Sequence, residues 1–356
     1  MPRDIVISID AMGGDGGPGP IVSGMAKSAR KNEEIRFILH GDEAVLSPLV
    51  ARKRELDGIV EIRHAPGIIS MNEKPSRALR QGRDSSMWET LHTVEKGEAS
   101  VAVSCGNTGA LMAMAVLRLR KAPGVSRPAI AVLWPSVNPG GYNVVLDVGA
   151  DVRAEPESLL QYAIMGAEYA RVGQNLDRPR VGLLNVGTEE HKGRPGLQDA
   201  SALIATAARD DGFEYVGFVE GGDIASDRVD VIVTDGFTGN IALKTAEGTA
   251  SLIRGLLRDA FSHTILSRIG AIFAITSLRR LSKRLDPRRV NGGVFLGLNG
   301  PVVKSHGSAD ATGMSAAIKL AFNMAKGGFS DQLAARIASH APRRDDAADP
   351  AERDAE

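Results

Sequence analysis

Short apolar runs alternate along the chain with longer segments whose apolar residues recur every three or four positions. Ten runs read as strands: Ile5–Ile9, Arg36–Leu39, Ile59–Arg63, Val101–Ser104, Ala129–Leu133, Asn143–Leu146, Arg180–Leu184, Tyr215–Val219, Val229–Thr234 and Pro301–Lys304. Several are apolar almost throughout, as strands covered on both faces should be. Helical spacing falls between them, over Pro20–Lys31, Glu43–Arg54, Pro75–Glu95, Thr108–Arg120, Pro156–Arg171, Leu197–Ala208, Gly239–Ser262 and Ala309–Lys326. This rhythm predicts an α/β fold, a mostly parallel sheet sandwiched between helices. Residues 1–339 read as one catalytic unit. The segment from His340 to Glu356 lacks apolar periodicity and reads as a disordered tail.

Composition narrows the function classes. Forty-three acidic residues balance 43 Lys and Arg, so no global charge favours nucleic acid. Cys105 is the single cysteine, which excludes an intramolecular disulfide and a multi-cysteine metal site. It follows the run Ser100–Ser104 and reads as a small buried residue at a strand end rather than a nucleophile. No pair of histidines or acids has metal-ligand spacing, so no metal site is expected. No apolar stretch approaches the length of a membrane span, and no signal peptide is visible.

The forty glycines cluster in short motifs just past strands, where ligands bind in parallel sheets. Gly106, Asn107, Thr108 and Gly109 open a helix after one strand. Glycines let backbone N–H groups converge there, and the helix start favours an anion. The bland alternative is a tight turn capped by Asn107. The motif lacks the lysine of a Walker loop and the spacing of a dinucleotide fingerprint. Asp235, Gly236, Thr238, Gly239 and Asn240 repeat the logic after another strand, with an acid and an amide added. Lys192 lies in a charged loop between Gly187 and Gly193, where a cation can meet phosphate or a developing oxyanion. His306 sits in Lys304-Ser-His-Gly307, past a short strand and ahead of a helix. No Gly-x-Ser-x-Gly elbow is present, which argues against a serine hydrolase.

Seven basic residues fall between Thr264 and Arg289: Arg268, Arg279, Arg280, Lys283, Arg284, Arg288 and Arg289, against the single acid Asp286. Ile265, Ile269, Ile272 and Phe273 share a helical face. Such a basic amphipathic segment suits an anionic membrane surface, an acidic protein or a second subunit. Gly270 weakens the expectation of one straight helix.

Taken together, these motifs resemble the bacterial acyl-carrier-protein:phosphate acyltransferases of phospholipid synthesis. The matching text is Ile9–Asp15, Gly106–Met112, Leu146–Ala150, Gln161–Gly166, Arg180–Glu189, Val233–Asn240 and Lys304–Gly307, in order between about Ile5 and Lys326. Gly16 and Asp151 depart from the family's usual His and Asn. The resemblance implies a homodimer with a fold like the phosphotransacetylases and isocitrate or isopropylmalate dehydrogenases. It implies acyl carrier protein and inorganic phosphate as substrates, no cofactor, and a cytoplasmic protein that meets the membrane peripherally. It makes Lys192 the first choice for a catalytic cation, with Asn240 and His306 orienting phosphate or protonating the leaving thiolate and Asp235 fixing a neighbouring donor. Two rival readings are a nicotinamide-dependent decarboxylating dehydrogenase and a membrane-associated scaffold without activity. The first needs a divalent-metal site and a nucleotide pocket, and neither pattern is present.

Overall fold

A computed structural model describes residues 4–209, 212–284, 292–329, 332, 333 and 337. Eleven strands form one sheet: β1 (Ile5–Asp10), β2 (Ile35–Gly41), β3 (Val60–His64), β4 (Val101–Ser104), β5 (Ala129–Pro135), β6 (Tyr142–Leu146), β7 (Arg180–Leu184), β8 (Glu214–Val219), β9 (Val231–Val233), β10 (Gly293–Leu296) and β11 (Val302–Lys304). Their order is β3-β2-β1-β4-β11-β10-β5-β6-β9-β7-β8. The sheet is mostly parallel, with antiparallel pairing only where β10 meets β11 and β5 and where β5 meets β6. As a result β6, β9, β7 and β8 run opposite to β1, β4 and β11, and the two halves send their carboxyl-terminal loops out at opposite ends of the strands.

The helices are α1 (Pro18–Ala29), α2 (Glu43–Ala51), α3 (Pro75–Gln81), α4 (Ser86–Glu95), α5 (Thr108–Leu119), α6 (Pro156–Gln174), α7 (Pro195–Ala207), α8 (Gly236–Ser262), α9 (Ile265–Arg284) and α10 (Ala311–Lys326). Alternation along the strands builds a core on each face. Ile7, Ile9, Val101, Val103, Val144 and Leu146 pack with α1, α6, α7 and α10. Ala102, Ile130, Val145, Ile232 and Val302 pack on the other face with α4 and α5. This is the expected α/β/α sandwich.

Three elements differ from the sequence reading. The segment expected as one helix from Pro75 to Glu95 is two. Gly82 is the C-cap of α3, at a place where a Cβ would strike Ile69 and the Ala78 carbonyl, and the Ser85 hydroxyl caps α4 by accepting from Trp88 N–H at 3.2 Å. Strand β10 was not expected, since its four residues are fenced by glycines and too short to show a period. The basic segment forms a helix that passes through Gly270, and the turn comes earlier, where α8 and α9 meet at 118°. Among the described residues no single helix is long and apolar enough to cross a membrane. Only the backbone of Arg279, Arg280, Lys283 and Arg284 is described. Arg288, Arg289 and the expected tail 340–356 lie outside the described residues.

His40 on β2 makes the fold pH-sensitive. It is buried, and its Nε2 lies 3.0 Å from the Thr93 hydroxyl. Burial first, and then the Arg63 charge, push its pKa from 6.5 down to about 4. The unfolded chain therefore binds the extra proton between those values, and stability falls as pH drops from 6.5 through 4. Replacing His40 with Gln should flatten that part of the stability–pH curve, read from denaturant midpoints. Parallel curves for the two proteins would show that His40 does not carry the effect.

Candidate active site

The first group of loops forms at the carboxyl ends of β1, β4 and β11. Register sets Asp10 opposite Ser104, and Ser104 opposite Lys304, so the three share one face of the sheet. Asp10 is fully buried. Its carboxylate accepts from the Ser86 and Ser104 hydroxyls, each at 2.6 Å, and from Met12 N–H at 3.2 Å. The Ser104 hydroxyl accepts in turn from Gly106 N–H at 3.0 Å. This network draws the loops so close that a Cβ at Gly13 would overlap Asp10 and Gly106, and one at Gly106 would overlap Met87.

Asn107 caps α5, accepting from Ala110 N–H at 3.0 Å, and its amide donates to the Met71 and Glu73 carbonyls. Its side chain is thus committed to holding the loop before α3. Thr108 and Gly109 are exposed residues of the first turn, where backbone amides have no partner within the helix. A side chain at Gly109 would meet Pro75 before it filled any anion site. His306 is exposed beside this group, with Nδ1 2.9 Å from the Ser308 hydroxyl. Cys105 is buried, and burial pushes its thiol up to about 11, which keeps it protonated as a core residue.

The second group lies at the carboxyl ends of β6, β7 and β9. Buried Asp147 accepts from the amides of Ile130, Gly149, Ala150 and Asp151. Asp235 caps α8 through Thr238 N–H at 2.8 Å, accepts the Thr238 hydroxyl at 2.9 Å, and pairs with Arg194 at 3.1 Å. Gly236 and Gly239 are buried against the Asp147–Asp151 loop, so the closely approaching backbone here is protein. Asn240 is exposed and donates to the Val148 carbonyl at 3.1 Å. Lys192 is exposed and paired with Glu189 at 2.7 Å, which raises its pKa. Asp151 accepts from the Tyr162 hydroxyl at 3.1 Å and lies 3.6 Å from Arg127, an ion pair that an Asn would not make.

The predicted residues thus fall into two groups: Gly106–Gly109 with His306, and Lys192 with Asp235–Asn240. Between β11 and β6 run β10 and β5. Val132 and Trp134 of β5 are partly exposed, and Val132 stands opposite Gly293, which stands opposite Lys304. Sequence reasoning passed over Lys304. Its signal was a strand ending in a lysine in phase with buried Val302.

Comparison with known proteins bears on this arrangement. Residues 5–332 match the model of a family described as fatty acid synthesis protein. A phosphate acyltransferase of Paracoccus denitrificans is 66% identical over 334 residues, covering 94% of this chain and 90% of its own. One from Ruegeria pomeroyi is 63% identical, covering 97% and 93%. The chain belongs to the phosphate acyltransferase family. Its fold is similar to that of a phosphotransacetylase from Streptococcus pyogenes, with a TM-score of 0.61 at 17% identity, over 91% of this chain and 94% of that one. The spacing of the glycine motifs is fixed first by packing. Gly239→Ala should therefore destabilise the protein by about 1–3 kcal/mol, since its Cβ would overlap the Asp147 carbonyl. Thermal melts check this, and an unchanged midpoint would mean that the loop has room the structure does not show.

Proposed function

We propose that the chain transfers a fatty acyl group from an acyl-carrier-protein thioester to inorganic phosphate, giving acyl phosphate for phospholipid synthesis. The observation that carries this reading is identity above 60% to phosphate acyltransferases across more than nine-tenths of the chain. A phosphate oxygen bonds to the thioester carbon, the carbon–sulfur bond breaks, and sulfur leaves with the electron pair and takes a proton. Phosphate is itself the nucleophile, so the protein's work is to strip its water, aim it and stabilise the charge on the thioester oxygen.

The first-turn amides of α5, with His306 beside them, suit the phosphate. The part-exposed strip of Val132 and Trp134 suits the start of the acyl chain. Lys192 and Asn240 suit the charge that develops on the thioester oxygen, whose carbon must lie beside the bound phosphate, with Asp235 holding Arg194 and Thr238 in place. Incubation of acyl-carrier-protein thioester with phosphate, followed by mass spectrometry, should yield acyl phosphate; release of free fatty acid alone would contradict the reading. Lys192→Ala should lower turnover by roughly 100-fold with little change in stability, because the side chain is exposed. Unchanged turnover would remove Lys192 from the mechanism.

The same reading extends to the arm formed by α8 and α9. Leu252, Ile253 and Leu256 of α8 are exposed in the single chain and suit a second copy, giving a homodimer. On α9, Leu266 is 82% exposed, Ile272 67% and Phe273 84%, beside Arg268. Exposure on that scale is costly in water and suits peripheral, reversible contact with an anionic membrane. Flotation with anionic but not neutral vesicles, weakened by salt and lost in a folded Ile272→Asp/Phe273→Asp protein, is the expected result. Equal flotation of both proteins would assign the face to another partner.

A further inference from the structure

Lys304 is a buried cation that the proposed chemistry has not yet used. Its Nζ donates to the Cys105 carbonyl at 3.3 Å and to the Ser305 carbonyl. Among the described residues no carboxylate lies within ion-pair distance of it. Neutral carbonyls repay little of the cost of taking an ammonium out of water, and an apolar side chain would serve stability better. An ammonium has three hydrogens, and these carbonyls take two.

The surroundings say where the third can go. Lys304 ends β11 on the face it shares with Ser104 and Asp10. Asp10 accepts from two hydroxyls and an amide and makes no ion pair with Lys304. On the other flank stands Gly293, which has no side chain to take up the ammonium. Cys105, whose carbonyl Lys304 holds, leads directly into Gly106 and the uncapped amides of Thr108 and Gly109 at the start of α5. A buried cation without an ion-paired carboxylate and the first turn of a helix therefore lie at the ends of two neighbouring strands.

We propose that Lys304 is the residue that binds inorganic phosphate, its ammonium and the first-turn amides of α5 forming one anion site. This deepens the acyl-transfer reading and rests on it for the identity of the anion. The charged groups around Lys304 are Asp10 of β1, Asp15 of the following loop, Cys105 after β4 and Lys244 of α8. Burial pushes the Lys304 ammonium down to about 8; Lys244 pushes the same way, and Cys105, Asp10 and Asp15 oppose it. Phosphate binding then weakens as pH rises through that value, because the site loses its charge.

Titration calorimetry with inorganic phosphate tests this on the full chain without any acyl donor. At about pH 7, Lys304→Met should bind phosphate roughly ten- to hundredfold more weakly, the usual loss for a hydrogen bond to a charged group. Lys304→Arg, which keeps the charge, should retain most of the affinity. Wild type should weaken by about pH 9.5, while the methionine variant should not change further. Thermal melts should show Lys304→Met folded and no less stable. If that variant does not fold, the wild-type pH dependence and the arginine variant decide. Phosphate affinity equal to wild type in folded Lys304→Met, or flat affinity in wild type across that pH range, overturns the proposal. Acyl phosphate formation by wild type is scored separately, so failure of the activity and failure of the site are distinguishable.

Discussion

A carboxylate buried at the end of β1 sets the geometry on which the rest depends. Asp10 binds the hydroxyl that opens α4, the hydroxyl that ends β4 and the amide that follows β1. Each bond satisfies a charge that would otherwise be costly to bury. Together they pull three distant segments to one point and leave no room for side chains at Gly13 and Gly106. Asp147 does the same on the other half of the sheet, gathering four amides and pressing the start of α8 against its own loop. The glycine motifs are first a consequence of these two anchors and only then binding loops.

Charge separates the two groups of loops. Lys192 is exposed and neutralised by Glu189, and Asp235 is neutralised by Arg194. Lys304 is buried and hydrogen-bonds only to carbonyls, with the Asp10 and Asp15 charges nearby but not ion-paired to it. Coulomb attraction is strongest where water is excluded and no counter-ion competes. The phosphate site proposed above, at the ends of β4 and β11, therefore holds the more water-excluded lysine of the two groups. Helix α8 links the groups: it begins at Asp235 and carries Lys244 to within electrostatic reach of Lys304.

Much of this was legible in the sequence. Apolar runs placed ten of the eleven strands, and the glycine motifs fell past strand ends as expected. Gly82 and Ser85 carried the break between α3 and α4, but a continuous helical spacing masked it. Strand β10 was hidden because four residues between glycines show no period. Within the site, composition could not tell which lysine is buried. Lys192 stood out for its glycine-flanked, charged loop, and that exposure is what pairs it with Glu189. Lys304 looked like the polar end of a short strand. Its importance comes from β10 and β4 on its two sides, a pairing that only the folded sheet reveals.

The site proposed for phosphate lies at the carboxyl ends of β4 and β11. A crystal structure of the full chain with inorganic phosphate tests it most directly. Phosphate should lie against Lys304 Nζ and the amides of Thr108 and Gly109. Phosphate bound instead beside Lys192 or Asn240, with the first site empty at a concentration that supports turnover, would contradict it.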